Sequence, residues 1–255
     1  YDAVTTPWPA YEAIGTHKDG QWTQLNCNLL QIENEYYSTI RPKHTTARGE
    51  RPITALAERG IQYVEVRCLD IDPFEPCGIS AQTARFMDAF LLFCALESSP
   101  TFGDDGFCLE SANNFQTTVL QGRKPGLLLG QSGIPVPLAQ WATQVLDQVQ
   151  ACAGLLAKQT GDDGYLSAVQ AQHAKIIDPE TTPSARVLEA LKGQHSSFHE
   201  FGLNMSLQHT RRLAEAGLTD AERAKGAQLR DDSLAAQKAL EAETGVTFEE
   251  YVARF

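Results

Sequence analysis

Ten of the twelve prolines in this 255-residue chain stand at or before Pro137, and beyond it only Pro179 and Pro183 occur. Proline lacks a backbone N–H and clashes with the preceding helical turn, so long helices favour the proline-poor part of a chain. The distribution predicts strands and turns first and long helices last, an α+β protein. Two early stretches carry strand character: residues 25–40 alternate their side chains, and 61–71 (IQYVEVRCLDI) are rich in β-branched residues. Between them lie a polar link over 41–51 and a short helical segment around Ile53. Ser80 is placed to cap a helix over 81–97, where Phe86, Met87, Phe90, Leu91, Phe93 and Cys94 wrap most of the surface and predict burial.

Past Pro137 the helical period is plainer. Trp141, Val145, Leu146, Val149, Cys152, Leu155 and Leu156 fall on one face. Thr182 precedes Pro183 as a cap before a proline at the first helical position. Thr219 with Glu222, and Thr247 with Glu250, match the capping box. The alanine-rich, charged run over 219–243 suits a long exposed helix. The chain thus divides into a β-rich portion over 1–136, with a buried helix near 81–97, and a helical region over 137–255 packed on the same unit.

The balance of 21 basic and 32 acidic residues, net −11, argues against a nucleic-acid partner, which needs basic surface to neutralise phosphates. It argues equally against an anionic membrane surface. The longest greasy run, 90–96, is far short of the roughly 20 residues of a membrane span. None of the six cysteines forms a C-x-x-C pair, so free thiols in a reducing cytoplasm are expected, with Cys94 a small core residue. No Walker-type phosphate loop or G-x-G-x-x-G is present. Gly130-Gln131-Ser132-Gly133 is one residue short of a nucleophile elbow. His195 and His199, four apart beside Glu200, lack the third ligand that a zinc site needs.

The chemistry concentrates on the second strand. With a side-chain period of two, Tyr63, Glu65, Arg67 and Leu69 share one face, and Val64, Val66, Cys68 and Asp70 the other. Val64, Val66 and Cys68 have the character of a core face. Opposite them a carboxylate and a guanidinium stand roughly 7 Å apart, two residues along an extended chain. An ion pair on a solvated sheet satisfies that pattern. So does a polar cleft in which Glu65 holds a divalent cation and Arg67 meets a phosphoryl oxygen, since carboxylates suit Mg²⁺ and guanidinium forks suit phosphate. The first stretch repeats the design, with Glu33, Glu35 and Tyr37 on one face.

LLQIENEYYSTIRPK (29–43), IQYVEVRCLDIDPF (61–74) and QGRKPGLLLG (121–130) resemble, in order and spacing, the bacterial type of glutamate–cysteine ligase. The resemblance runs from about Tyr11 to the C-terminus and loosens beyond Trp141. It implies a curved antiparallel sheet similar to that of glutamine synthetase, followed by a mostly helical region. It also implies ATP- and Mg²⁺-dependent joining of the γ-carboxylate of L-glutamate to the amine of L-cysteine through a γ-glutamyl phosphate, the first step of glutathione synthesis. Both steps move negative charge among phosphoryl oxygens, which cations stabilise.

Carried over position by position, Glu65 matches the family's Mg²⁺-binding glutamate. Arg67 matches the arginine on the transferred phosphoryl group, and Tyr37 the tyrosine that hydrogen-bonds the cysteine substrate. Asn34, Glu35 and Arg41 stand near enough to join nucleotide or metal binding. For residues 122–126 a turn after a helix is favoured over phosphate contact. The chain resembles only the C-terminal half of such ligases, and most metal-binding carboxylates belong to the other half. A fragment inactive alone, whose partner is the missing N-terminal half, is therefore expected. Another carboxylate–amine ligase with a different acceptor is the neighbouring reading. A non-catalytic interaction protein derived from the ligase is the distant one, and Tyr37, Glu65 and Arg67 argue against it.

Overall fold

Local signals set most of the helix boundaries in the computed structural model, which describes residues 1–47, 49–99, 108–194, 197–243 and 245–253. The first part runs α1 (Asp2–Thr5), α2 (Pro9–Ile14), β1 (His17–Lys18), β2 (Gln21–Trp22), β3 (Ile40–Lys43), α3 (Pro52–Arg59) and β4 (Tyr63–Val66). There follow α4 (Ala81–Leu96), α5 (Leu109–Gln121), β5 (Leu128–Gln131), β6 (Ile134–Pro137), α6 (Leu138–Thr160) and α7 (Gly164–Ile177). The chain continues as α8 (Pro183–Gln194), α9 (Phe198–Ala216), α10 (Asp220–Ala242) and α11 (Phe248–Val252). The strands form three antiparallel pairs, β1–β2, β3–β4 and β5–β6, so the class is α+β.

Contacts group the chain into two units, Tyr1–Asp70 with Leu218–Phe255, and Ile71–Gly217. These bounds differ from a division at 136–137, because the last two helices group with the first seventy residues.

In the second unit α4, α6 and α7 enclose the core of Ala89, Leu146, Val149, Ala153 and Val169, with Phe86, Phe90 and Phe93 packed against it. Ala89 and Ala153, both fully buried, lack the bulk that would hold the helices apart. Burying a valine such as Val149 or Val169 stabilises by roughly 1.5–3 kcal/mol. The expected apolar faces needed two corrections. Leu155 is 59% exposed, because α6 turns Ala153 and Ala157 inward instead. Cys94 is also exposed: it stands beside Phe93 on the side of α4 turned from the core, and of that helix only Ala89 is fully buried.

Ser80 accepts from the Thr83 amide at 3.0 Å, one of the four amides that a helix start leaves unpaired. Ser80→Ala is expected to cost about 1 kcal/mol in urea unfolding, and Ser80→Asp to retain most of that stability. An unchanged Ser80→Ala midpoint would remove the cap from the account. Thr182 caps α8 and Thr219 and Thr247 form capping boxes on α10 and α11, as expected. A further box, Ser197 with Glu200, starts α9. It puts His199 in the first turn of a helix that begins after α8 has ended, while His195 lies outside the described residues.

The Gly130–Gly133 segment is a hairpin. Ser132 and Gly133 connect β5 and β6 with φ of 54° and 79°, a left-handed pair suited to a two-residue turn. Glu110 accepts from both turn amides, at 2.9 and 2.8 Å. Residues 122–126 form the expected turn after α5, in which the Lys124 amide donates to Gln121 O.

Candidate functional site

The first unit contains the β3–β4 pair, and its register assembles the polar face. Arg41 stands opposite Glu65, and Lys43 opposite Tyr63. The Arg67 amide donates to Thr39 O at 2.7 Å, which carries the pairing one step past β4. Directly opposed residues point to the same side of a sheet. Arg41, Lys43, Tyr63, Glu65 and Arg67 therefore converge on one face.

Glu65 sits at the centre. Its Oε1 accepts from Arg67 Nε at 2.9 Å and its Oε2 from Arg67 Nη2 at 3.1 Å, a two-point guanidinium–carboxylate fork. Lys43 Nζ lies 3.2 Å from the same Oε2. The Arg67 hydrogen bonds, reinforced by Lys43, hold the Glu65 carboxyl below the usual carboxylate range. Glu65 in return pushes Arg67 upward, so both stay charged. Tyr37, itself exposed, places its ring 5.4 Å from Arg67 Cζ, within reach of a cation–π contact. The three residues singled out in the sequence are thus brought together. Lys43 was missed. It stands two positions from Arg41 on an extended chain, a spacing that becomes informative once the register is known.

The first stretch is not a strand over 25–40. Glu33–Glu35 forms a 3-10 turn and only Ile40 onward pairs with β4. Side chains hold the preceding backbone: Gln31 Oε1 accepts from the Leu25 amide at 2.7 Å, and Asn26 Nδ2 donates to Gln31 O at 3.0 Å. Such local bonds compete with a sheet ladder. Glu35 is used the same way, accepting from the Gln31 and Ile32 amides, so it serves the turn. Asn34 is exposed on that turn. Arg41 donates to Glu33 O at 3.4 Å, and Arg51 Nε to Glu33 Oε1 at 3.2 Å. The opposite face of β4 is not a buried core either: Val64 is 45% exposed, Cys68 is exposed and Val66 is half-buried.

A cleft of about 640 Å³ lies alongside, lined in part by Tyr36, Arg41, Lys43, His44 and Tyr63. Lys43 both lines it and grips Glu65, so an anion in the cleft meets a cation already tied to the cluster. Arg59, whose Nε donates to His44 at 3.3 Å, donates to both oxygens of Glu50, at 2.7 and 2.9 Å. Those bonds, with one from the Ala47 amide, lower the Glu50 pKa from 4.5 to about 2. A lowered carboxylate stabilises the fold above its unfolded pKa and loses that contribution as pH falls. Unfolding midpoints should therefore drop between about pH 4.5 and pH 2, and Glu50→Gln should flatten that part of the profile. Superimposable acid profiles would contradict this assignment.

Metal binding is a separate question. Both Glu65 oxygens are occupied by cations, and no group of three or more His, Cys, Asp or Glu side chains suited to a metal occurs among the described residues. The residues present do not make a metal site by themselves. What the face offers is a pair of cations beside an open cleft, an arrangement suited to anionic groups.

Such a face, on a small antiparallel pair, is suited to anions, and the chain that carries it is similar to known proteins. Residues 1–118 match the glutamate–cysteine ligase family. The whole chain aligns at 56% identity with the glutamate–cysteine ligase of Bordetella parapertussis, covering 48% of that protein. It aligns at 53% with that of Azotobacter vinelandii over 99% of this chain and 48% of the relative. A crystal structure of the Francisella tularensis glutamate–cysteine ligase in complex with AMP matches 99% of the chain with a TM-score of 0.83 and 36% identity, over 50% of its own length. The chain is thus similar over its whole length to glutamate–cysteine ligases, and its first 118 residues match that family's model. It spans about half the length of the curated relatives it matches.

Proposed function

We propose that this chain contributes the phosphoryl-stabilising wall of an ATP-dependent glutamate–cysteine ligase site. The observation that carries the reading is the Glu65–Arg67–Lys43 cluster beside Tyr37, on one exposed face next to a cleft. Ligation needs a poor electrophile made reactive. The γ-carboxylate of glutamate attacks the terminal phosphorus of ATP, ADP leaves, and an acyl phosphate forms. The amine of cysteine then adds to the acyl carbon and phosphate departs. Both steps load charge onto phosphoryl oxygens, and Arg67 offers them two parallel N–H donors. Lys43 supplies a second positive charge. Glu65 holds both cations in place, so that little reorganisation is needed when the phosphoryl group arrives. Tyr37 keeps the guanidinium plane and offers its hydroxyl to the cysteine substrate.

The nucleotide in the Francisella enzyme supports ATP as the phosphoryl donor. Arg41, on the cleft wall, is available to its anionic groups, whereas Glu35 is committed to its turn and Asn34 makes no contact that assigns it a part. Mg²⁺ remains a proposal from the resemblance: Glu65 would be one ligand among several, the others lying in the further length that the relatives possess. The same length is the partner we propose for this half, and the reaction's substrates imply a cytoplasmic setting.

The test is phosphate release. A protein of the relatives' full length carrying this sequence should release phosphate only when ATP, glutamate and cysteine are all supplied, and the 255-residue chain alone should release none above background. Release by the isolated chain, or release indifferent to cysteine, would overturn the reading.

A further inference from the structure

The second unit contains a cleft of about 810 Å³ that the ligase reading does not use. Its size falls within the ~300–1,000 Å³ typical of small-ligand pockets. The wall is chiefly apolar, with Phe90 from α4, Leu127 from the turn after α5, and Trp141 and Val145 from α6. Arg123, Lys124 and Lys175 also line it, and among the described residues no acidic side chain does. In a chain of net charge −11 that is a local reversal of sign.

The three cations are not equally satisfied. Arg123 is paired with Glu180 at 2.9 Å. Lys124 and Lys175 each donate to a neutral glutamine oxygen, Gln121 at 3.4 Å and Gln172 at 3.2 Å, and neither has an ion-pair partner among the described residues. Lys175 is half-buried. Desolvation lowers its pKa, against a smaller pull upward from Asp72 and with a further push down from Arg186. A partly desolvated ammonium bonded to an amide gains when an anion reaches it. A cleft with a chiefly apolar wall that is also lined by such ammonium groups complements a molecule with a hydrocarbon body and one negative head.

We propose that this cleft binds an aliphatic monocarboxylate, its chain lying against Phe90, Leu127 and Trp141 and its carboxylate held by Lys175 and Lys124. Trp141 reports on occupancy once Trp8 and Trp22 are changed to phenylalanine in the full 255-residue chain, since the sequence has three tryptophans. Dodecanoate, titrated below its micelle concentration, should change Trp141 emission saturably with one site per chain. Dodecanol, equally long but uncharged, should bind at least tenfold more weakly. Lys175→Met, which keeps the bulk and removes the charge, should weaken dodecanoate roughly tenfold or more, the scale of a lost charge-assisted hydrogen bond. Ala142→Phe, which fills the cleft from α6, should abolish the signal while the thermal transition persists. Three results would overturn the proposal: no saturable response, equal binding of the alcohol, or unchanged affinity in Lys175→Met. The last two would mark an apolar surface awaiting a protein partner or a headgroup bound elsewhere.

Discussion

Arg67→Ala, made in a protein of the relatives' full length, is expected to lower turnover roughly 10²–10³-fold, the scale seen when one preorganised donor to developing charge is removed. Substrate KM values should move little, because the guanidinium does most where charge accumulates. Arg67→Lys should recover only part of the loss, since an ammonium cannot present two parallel donors. The alternative is a purely structural pair, satisfied by the same fork between Arg67 and Glu65. In that case Arg67→Ala would reduce stability slightly and leave turnover alone. A turnover within a factor of a few of wild type would therefore remove Arg67 from the reaction.

The second large effect concerns stability. Val149 is fully buried in the packing of α4, α6 and α7, beside Ala89, Ala153 and Val169. Val149→Ala deletes two methyl groups and should cost about 1–3 kcal/mol, counting lost transfer free energy and a residual cavity. Val149→Asp should cost several kcal/mol more, because it sets a carboxylate among the apolar side chains of this core. Among the described residues no polar or charged side chain is buried, so the substitution would introduce the first. Urea unfolding followed by circular dichroism measures both variants. Similar midpoints for Val149→Asp and the wild type would contradict the core as described.

What could be read from the sequence was what local chemistry decides. Ser80, Thr182, Thr219 and Thr247 cap their helices because a side-chain oxygen within three residues suffices, whatever the rest of the molecule does. The Glu65–Arg67 face was legible for the same reason, since a two-residue period needs only an extended chain. Residues 25–35 were misread because side-chain alternation is also met in irregular backbone. The real signal was the density of Asn and Gln, whose side chains fasten this loop at Leu25, Asn28 and Gln31. Lys43 required the register of two strands separated by α3, which no single segment contains. Cys94 and Leu155 required knowing which side of α4 and α6 meets a neighbour, and periodicity alone leaves that open by a turn.

The account's central claim, that the Arg67 face serves a ligase working through an acyl phosphate, is tested most directly by oxygen tracing. Glutamate carrying ¹⁸O in its γ-carboxylate is supplied with ATP and cysteine to a full-length protein bearing this sequence, and the phosphate released is analysed by mass spectrometry. The expected result is one ¹⁸O atom per phosphate, transferred when the carboxylate oxygen that attacked phosphorus departs with it, at a rate that falls with Arg67→Ala in step with turnover. Phosphate without label, formed at the rate of dipeptide, would contradict the claim.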